Sequence, residues 1–498
     1  MKKVAIIGAG FSGLSAAAYL AKNNFEVDVY EKNESAGGRA RQIKTDNGYV
    51  FDMGPSWYWM PEIFEKFFND FGYTASDFYG LKLLDPSFSI IFGNHDVMDV
   101  PADYRSLFQL FETIEKGSGE KLNQFLKEAE FKYKIGMRKL VYKPGKSLFE
   151  FADLDVIKGV LRLQLFTSFS KHVRKYFADP KLILLMEFPV LFLGAMPEET
   201  PALYSLMNYA ELKLGTWCPF GGFGKVVDAM KTVCENQGVR IHFNKNIERI
   251  GIENNKATHV FSDGKKMECD AVLATADYHH VENDLIEKGY RNYSENYWET
   301  RVMAPSCLIF YLGIDKKISR LQHHNLFFDE DLNQHSVEIY KEPKWPTKPL
   351  FYVCCPSKTD PSVAPAGHEN IFILMPLAIN LEDTEKKRME YFDVIMNRLE
   401  KYCGEKIREN IDYQKSYCIK DFMVDYNAFK GNAYGLANVL KQTAILKPRI
   451  QNKKVKNLFY AGQLTVPGPG VPPAIISGNV ASRQIINSFN LKKHENIV

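Results

Sequence analysis

Residues 1–31 read MKKVAIIGAGFSGLSAAAYLAKNNFEVDVYE. Val4 to Ile7 is a short apolar strand, Gly8 to Gly13 a turn, Leu14 to Lys22 a helix, and Glu26 to Tyr30 a second strand. Gly8, Gly10 and Gly13 stand at the G-x-G-x-x-G spacing. The first glycine permits a tight turn, the second lets backbone approach a pyrophosphate, and the third lets helix and strand pack closely. The helix N-terminus then offers free N–H groups to phosphate. Glu31 closes the second strand 23 positions after Gly8, where a carboxylate can accept from a ribose and would repel a 2′-phosphate. A secretory signal is the competing reading, from Lys2, Lys3 and the run Ala16-Ala17-Ala18. It fails because glycines interrupt the apolar stretch and the pattern runs on into a second strand.

The rest of the chain sets outer bounds. At 498 residues it is two to four times the usual single-domain size, and 45% hydrophobic with 25% charged residues is ordinary globular composition. A net charge of +3 predicts no nucleic-acid partner. The eight cysteines contain no C-x-x-C, which suits a reduced cytoplasm. His279-His280 and His323-His324 lack partners at ligand spacing, and adjacent histidines on a strand are expected to face opposite ways, so no metal is expected. Phe64, Phe67, Phe68 and Phe71 follow helical spacing and read as core, with a tunnel wall as the other use.

Gly37-Gly38-Arg39 follows Glu31 within one loop, and residues 48–56 read GYVFDMGPS, a strand ending in a Gly-Pro turn. Together they resemble the flavoprotein superfamily of amine oxidases, protoporphyrinogen oxidase and carotenoid desaturases, in which the G-G-R loop lies along the FAD pyrophosphate. An arginine there supplies a bidentate charge for phosphate. Gly221-Gly222-Phe223-Gly224 precedes another helix, followed by strands at Val239 to Phe243, Ile247 to Ile252, Lys256 to Phe261 and Asp270 to Ala276. The fold class expected is α/β: an FAD-binding Rossmann-like (GR2-type) domain, an interleaved α+β substrate domain and a helical membrane-facing region. The FAD domain would take residues 1–75, 211–299 and 441–498, and the substrate domain 76–210 and 300–440.

Residues 458–485 read LFYAGQLTVPGPGVPPAIISGNVASRQI, a strand, a Gly/Pro loop and a helix with small residues at Ser477, Gly478 and Ala481. This segment resembles the flavin-closing motif of the bacterial phytoene-desaturase-type carotenoid desaturases. Similar agreement runs along nearly the whole chain, at Phe192-Leu193-Gly194, Trp217-Cys218-Pro219, Ala274 to Asp277, Thr359-Asp360-Pro361, Asp421-Phe422 and Asn427-Ala428-Phe429. The resemblance implies FAD contacts at Gly8, Gly10, Phe11, Ser12, Gly13, Glu31, Lys32, Gly38, Arg39, Gly54, Pro55, Ser56, Ile247, Ala276, Gly462, Gln463, Gly470, Val471 and Pro472. Two positions depart from the pattern: Gln463, and the pair Pro472-Pro473 in place of a glycine-containing pair.

What it implies chemically is removal of a hydride and a vicinal proton from a C30 to C40 polyene, with a flavin as hydride acceptor. The step favoured is 3,4-desaturation of a 1-hydroxycarotenoid. Phytoene desaturation, an amine- or porphyrinogen-oxidase-like activity and a non-enzymatic lipid escort are the alternatives. No nucleophile triad is expected, and the catalytic residue is unassigned. Glu187, in the apolar context LILLMEFPVLFLG, is the weak candidate for taking the proton.

A polyene must be collected from a membrane. Residues 127–181 carry thirteen Lys/Arg against six Asp/Glu, interspersed with Phe131, Tyr133, Leu140, Tyr142, Leu161, Leu163, Leu165, Phe166 and Phe169. That is the composition of a docking surface for anionic lipid. No apolar run reaches transmembrane length, so a cytoplasmic protein held peripherally on the inner membrane face is expected. A quinone or oxygen would reoxidise the flavin.

Overall fold

The computed structural model describes residues 1–147, 150 and 167–489. Strand β1 (Lys2–Ile7) pairs in parallel with strand β2 (Phe25–Tyr30), and helix α1 (Phe11–Lys22) crosses between them. The helix starts three residues before the Leu14 read from sequence, because Gly10 is extended (φ −76°, ψ 179°) and is itself the N-cap. Close helix–strand packing has a measurable cause. A Cβ on Gly13 would lie 2.1 Å from the Gly8 carbonyl oxygen.

Five parallel strands make the first sheet, in the order Leu458–Tyr460, Ala271–Ala274, β1, β2, Arg240–His242. Its strands come from three distant stretches of chain. Helix Val471–Ser488 closes it by lying on α1: a Cβ on Gly478 would stand 2.3 Å from Ser12 O, and Ser15 Oγ donates to Ile475 O at 2.7 Å. The small residues of that helix are therefore a requirement of helix–helix approach. The apolar strand read as Asp270 to Ala276 is only Ala271–Ala274. Asp270 instead accepts from the Lys3 N–H at 2.8 Å, and Ala276 bends off to hydrogen-bond Ile7 O.

The second sheet has seven strands, ordered Ile411–Tyr417, Ser306–Ile314, Glu369–Leu377, Phe351–Cys354, His324–Phe327, Phe88–Gly93, Asp96–Val100. All nine residues of Ser306–Ile314 are buried. Cys307, Ile309 and Tyr311 belong to one core, and Leu308, Phe310 and Leu312 to another on the opposite face. A strand covered on both faces reads as a continuous apolar run, which is why alternation does not mark it in the sequence.

Helix α2 (Pro61–Asn69) buries Phe64, Phe67 and Phe68 almost completely, so the phenylalanine stripe is core, contributing roughly 1.5–3 kcal/mol per ring. The aromatic and basic composition at 127–181 divides differently from the expected docking surface. Tyr133, Phe169 and Lys132 are buried, and Lys132 Nζ donates to Ala202 O and Ser205 Oγ, both at 3.0 Å. Leu161, Leu163, Leu165 and Phe166 lie outside the described residues. Among the described residues no helix is long and apolar enough to cross a membrane.

Candidate functional site

The first sheet ends where glycine loops meet. Gly8 adopts φ +104° and its N–H donates to Tyr30 O at 2.8 Å, which turns the chain out of β1. The Gly37 N–H donates to Ala9 O at 2.9 Å, and Gly10 and Gly37 form an isolated parallel bridge. Glu31 fixes this cradle: one carboxylate oxygen accepts from the Ala9 N–H at 2.8 Å, and the other from the Asn33 N–H and side-chain amide at 2.9 Å each. The carboxylate keeps a lone pair for a further donor such as a ribose hydroxyl. Helix α1 has no side-chain cap and no acid in its first turn, so its free N–H groups and dipole are available to an anion.

Arg39 is the cation of the cradle. Its half-buried guanidinium lies over the Tyr426 ring (4.9 Å to the centroid), with Nη2 donating to Asn432 O at 3.4 Å and Nε buried and unpaired. Among the described residues it makes no ion pair. Asp277, the acid that feels its charge, uses its oxygens to accept from the N–H groups of His279, His280 and Phe429. Burial lowers the Arg39 pKa and raises that of Asp277. A half-buried guanidinium with a buried, unspent Nε–H and no carboxylate is a donor set lacking an anion, and the pyrophosphate of FAD fits it. Gly54 packs on the same loop, where a Cβ would fall 2.6 Å from Arg39 O.

The C-terminal segment closes the other side. Gln463 Nε2 is 3.4 Å from Asn432 Oδ1, which also accepts from the Gly435 N–H at 2.7 Å, so Gln463 is tied through Asn432 to Arg39. Helix Val471–Ser488 begins after Gly470 (φ +111°), again without a side-chain cap. Pro472 and Pro473 carry no N–H, and the Ala474 N–H is bonded to Gly470 O, which leaves Val471 as the free donor of that first turn. The departure at Pro472-Pro473 thus removes donors while keeping the helix dipole.

These loops open into a single cavity of about 480 Å³. Every FAD contact inferred from sequence lines it except Gly13, whose role is the helix–strand approach. The remaining wall is largely apolar, with Trp57, Phe188, Leu191, Ile309, Leu326, Phe328 and Leu374. His335 lies in this wall but is fully engaged: its Nδ1 accepts from the Leu350 N–H at 3.1 Å and its Nε2 faces Pro376 O at 3.1 Å. Burial lowers its pKa to about 4, so the ring is neutral.

Glu187 is not in the lining. It is held by Arg174, one residue before Phe188, which does reach the cavity. Burial raises its pKa and the Arg174 charge opposes that. The acid that sequence reasoning missed is Glu211, one helical turn beyond the cavity-lining Met207. Both its oxygens are buried without a partner among the described residues, and burial raises its pKa well above the usual range. Lys447 Nζ is similarly buried and unpaired beside Gly468, with its pKa lowered to about 7.

The two histidines of the 323–324 pair do not face apart. Their rings lie 4.4 Å from one another, and with Cys354 they bring three ligand-type atoms within 4.8 Å. His323 precedes the strand, which starts at His324, so strict alternation does not apply to it. Each has a partner at Nδ1: Thr359 Oγ1 at 2.8 Å for His323 and the Tyr352 hydroxyl at 2.6 Å for His324.

Comparison with known proteins agrees with this geometry. The model of a family described as flavin containing amine oxidoreductase matches residues 11–486. A carotenoid 3,4-desaturase of Haloarcula japonica is 40% identical over 98% of this chain and 98% of its own. A zeta-carotene-forming phytoene desaturase of Myxococcus xanthus is 28% identical over 97% of this chain and 94% of its own. Among solved structures, an oxidoreductase from Methanosarcina mazei superposes with a TM-score of 0.63 at 16% identity, covering 97% of this chain and 100% of that one, a likeness of fold.

Proposed function

Because the chain belongs to the flavin-containing amine oxidoreductase family, among its carotenoid desaturases, we propose that it introduces the 3,4 double bond into a 1-hydroxylated carotenoid. It is an FAD-dependent oxidoreductase acting on a CH–CH group of a long polyene. The supporting observation is continuity: the glycine and arginine cradle and the apolar chamber are one cavity.

FAD, when bound, supplies the acceptor for the hydride lost from one carbon of the substrate. The protein's own work is binding, orientation and exclusion of water. The N–H groups of α1 and the guanidinium of Arg39 would hold the pyrophosphate, with Glu31 at the ribose and Gln463 held against the Arg39 loop by Asn432. The Val471 N–H and the dipole of its helix would face the ring system. Trp57, Phe188, Leu191 and Leu326 would confine a flat polyene against it, so that the breaking C–H bond points at the acceptor. Of the two C–H bonds broken, one electron pair would leave with the hydride and the other would stay on the substrate as the new π bond, the vicinal proton being released to solvent.

In the same reading, residues 1–75, 211–299 and 441–498 carry the cofactor, while 76–210 and 300–440 carry the substrate. The first sheet draws all its strands from the former set and the second sheet all of its strands from the latter. The protein works as a peripheral enzyme on the inner membrane face and passes electrons to a quinone or oxygen. The surplus of Lys/Arg at 127–181 supports that placement. The test is product analysis after co-expression in cells accumulating phytoene or a 1-hydroxylated carotene. Conversion of only the hydroxylated carotene is expected, whereas new double bonds from phytoene would make this an early-acting desaturase.

A further inference from the structure

Within the largely apolar part of the cavity wall a serine and a tyrosine meet. Ser56 ends the Gly54–Pro55–Ser56 turn, which packs on the backbone of Arg39, and both Ser56 and Tyr352 line the cavity beside Trp57 and Leu326. The Tyr352 hydroxyl donates to Ser56 Oγ at 3.0 Å and lies 2.6 Å from His324 Nδ1. With the tyrosine proton on Ser56, the Nδ1–H tautomer of His324 completes the chain as donor to the Tyr352 hydroxyl, which also meets the Cys354 thiol. The imidazole cannot swing away, because it is stacked face to face on Trp57, with centroids 4.1 Å apart and planes at 8°. The chain from His324 through Tyr352 therefore fixes Ser56 Oγ as an acceptor that is already supplied, and leaves the Ser56 proton to be given into the cavity.

Resting on the 1-hydroxycarotenoid reading, we propose that Ser56 and Tyr352, braced by His324, bind the hydroxyl group of the substrate and select hydroxylated over unhydroxylated polyenes. The placement suits the reaction. A hydroxyl at carbon 1 is only a few bonds from the 3,4 bond, so its binding group must share the cofactor's cavity, and Ser56 and Tyr352 line the same cavity as Val471. A polyene lacking the hydroxyl would press carbon against the Ser56 O–H and leave it without an acceptor, which disfavours the wrong substrate. Ser336, Tyr340 and Tyr434 also line the cavity, but they belong to the helix Leu332–Tyr340 and the 432–439 stretch and are not bonded to the Gly54–Ser56 turn in the way Tyr352 is.

The test uses the FAD-loaded full chain and its Tyr352→Phe and Ser56→Ala variants, assayed for kcat/KM on a 1-hydroxylated carotene and on the same polyene without the hydroxyl. Bound flavin per chain and the flavin absorption bands are recorded for each. Either variant is expected to lose roughly tenfold to a hundredfold of the preference for the hydroxylated substrate; flavin content is retained in Tyr352→Phe, and for Ser56→Ala, at an inferred FAD contact, the preference is read per flavin-bearing chain. Equal losses on both substrates, an unchanged preference, or loss of flavin in Tyr352→Phe would each overturn the hydroxyl assignment and leave the functional reading standing. Wild-type enzyme that handles both polyenes equally overturns the functional reading itself, so the two failures are distinct.

Discussion

Replacing Arg39 by methionine separates the cost of holding a half-buried cation from its use. In the protein alone the guanidinium is half-buried with a 3.4 Å bond to Asn432 O, a buried and unpaired Nε and no ion pair among the described residues. Its compensation is the stack on Tyr426 at 4.9 Å, worth about 0.5–2 kcal/mol. Partial desolvation of an unpaired charge carries a cost, so the apo-protein should be as stable as wild type or more so after Arg39→Met. A hydrogen bond to a charged partner contributes about 1.5–3 kcal/mol. Losing one to phosphate should weaken FAD roughly tenfold to 150-fold. Thermal unfolding of apo and FAD-loaded forms, with a fluorescence titration of FAD, reads both effects. The expected pattern is an apo melting temperature that holds or rises while FAD-dependent stabilisation shrinks. If the apo-protein falls with the holoenzyme, or FAD affinity is unchanged, Arg39 is a structural residue and the anion-cradle reasoning is wrong.

Gly13→Ala forces a methyl into the Gly8 carbonyl, 2.1 Å away, and should cost about 1–3 kcal/mol or more in a urea melt. A loss under about half a kilocalorie would show that helix and strand can part there. Lys447 has its pKa lowered by burial from 10.5 to about 7, so between these values the folded chain binds fewer protons and stability rises with pH. Lys447→Met should remove that slope, worth up to about 4–5 kcal/mol, and raise stability at pH 7; a variant whose melts track wild type at pH 7 and pH 10 would contradict it. Glu211 carries the opposite sign. Its raised pKa makes the folded chain bind more protons above pH 4.5, so stability falls as pH rises, and Glu211→Leu should flatten that fall in melts between pH 5 and pH 8. An undiminished slope in the variant would assign it to other groups.

The residues of the glycine cradle were legible because their chemistry constrains the backbone. Gly8 turns the chain at positive φ and Gly13 leaves no room for a Cβ against the Gly8 carbonyl, and Glu31, Arg39 and Gly462 follow at loop spacings that the same fold repeats. The substrate wall was not legible, because it depends on register between distant strands. Tyr352 reaches Ser56 only because Phe351–Cys354 pairs with His324–Phe327 in the register that sets His324 opposite Cys354. The His323-His324 pair misled for a local reason, since one of the two lies before the strand begins. The aromatic and basic run at 127–181 misled in part because composition does not distinguish a docking face from a core: Tyr133, Phe169 and Lys132 point inward. Glu187 drew attention as an acid among apolar residues, yet the structure supplies Arg174 to it, and the acid left without a partner is Glu211.

The most direct measurement offers the purified, FAD-loaded chain an equimolar mixture of phytoene and a 1-hydroxylated carotene in anionic vesicles, and follows both by chromatography. The expected result is a product of the hydroxylated carotene with one further conjugated double bond, with phytoene recovered intact. Phytoene consumed at a comparable rate, or neither substrate changed by a yellow, flavin-bearing protein, would contradict the assignment.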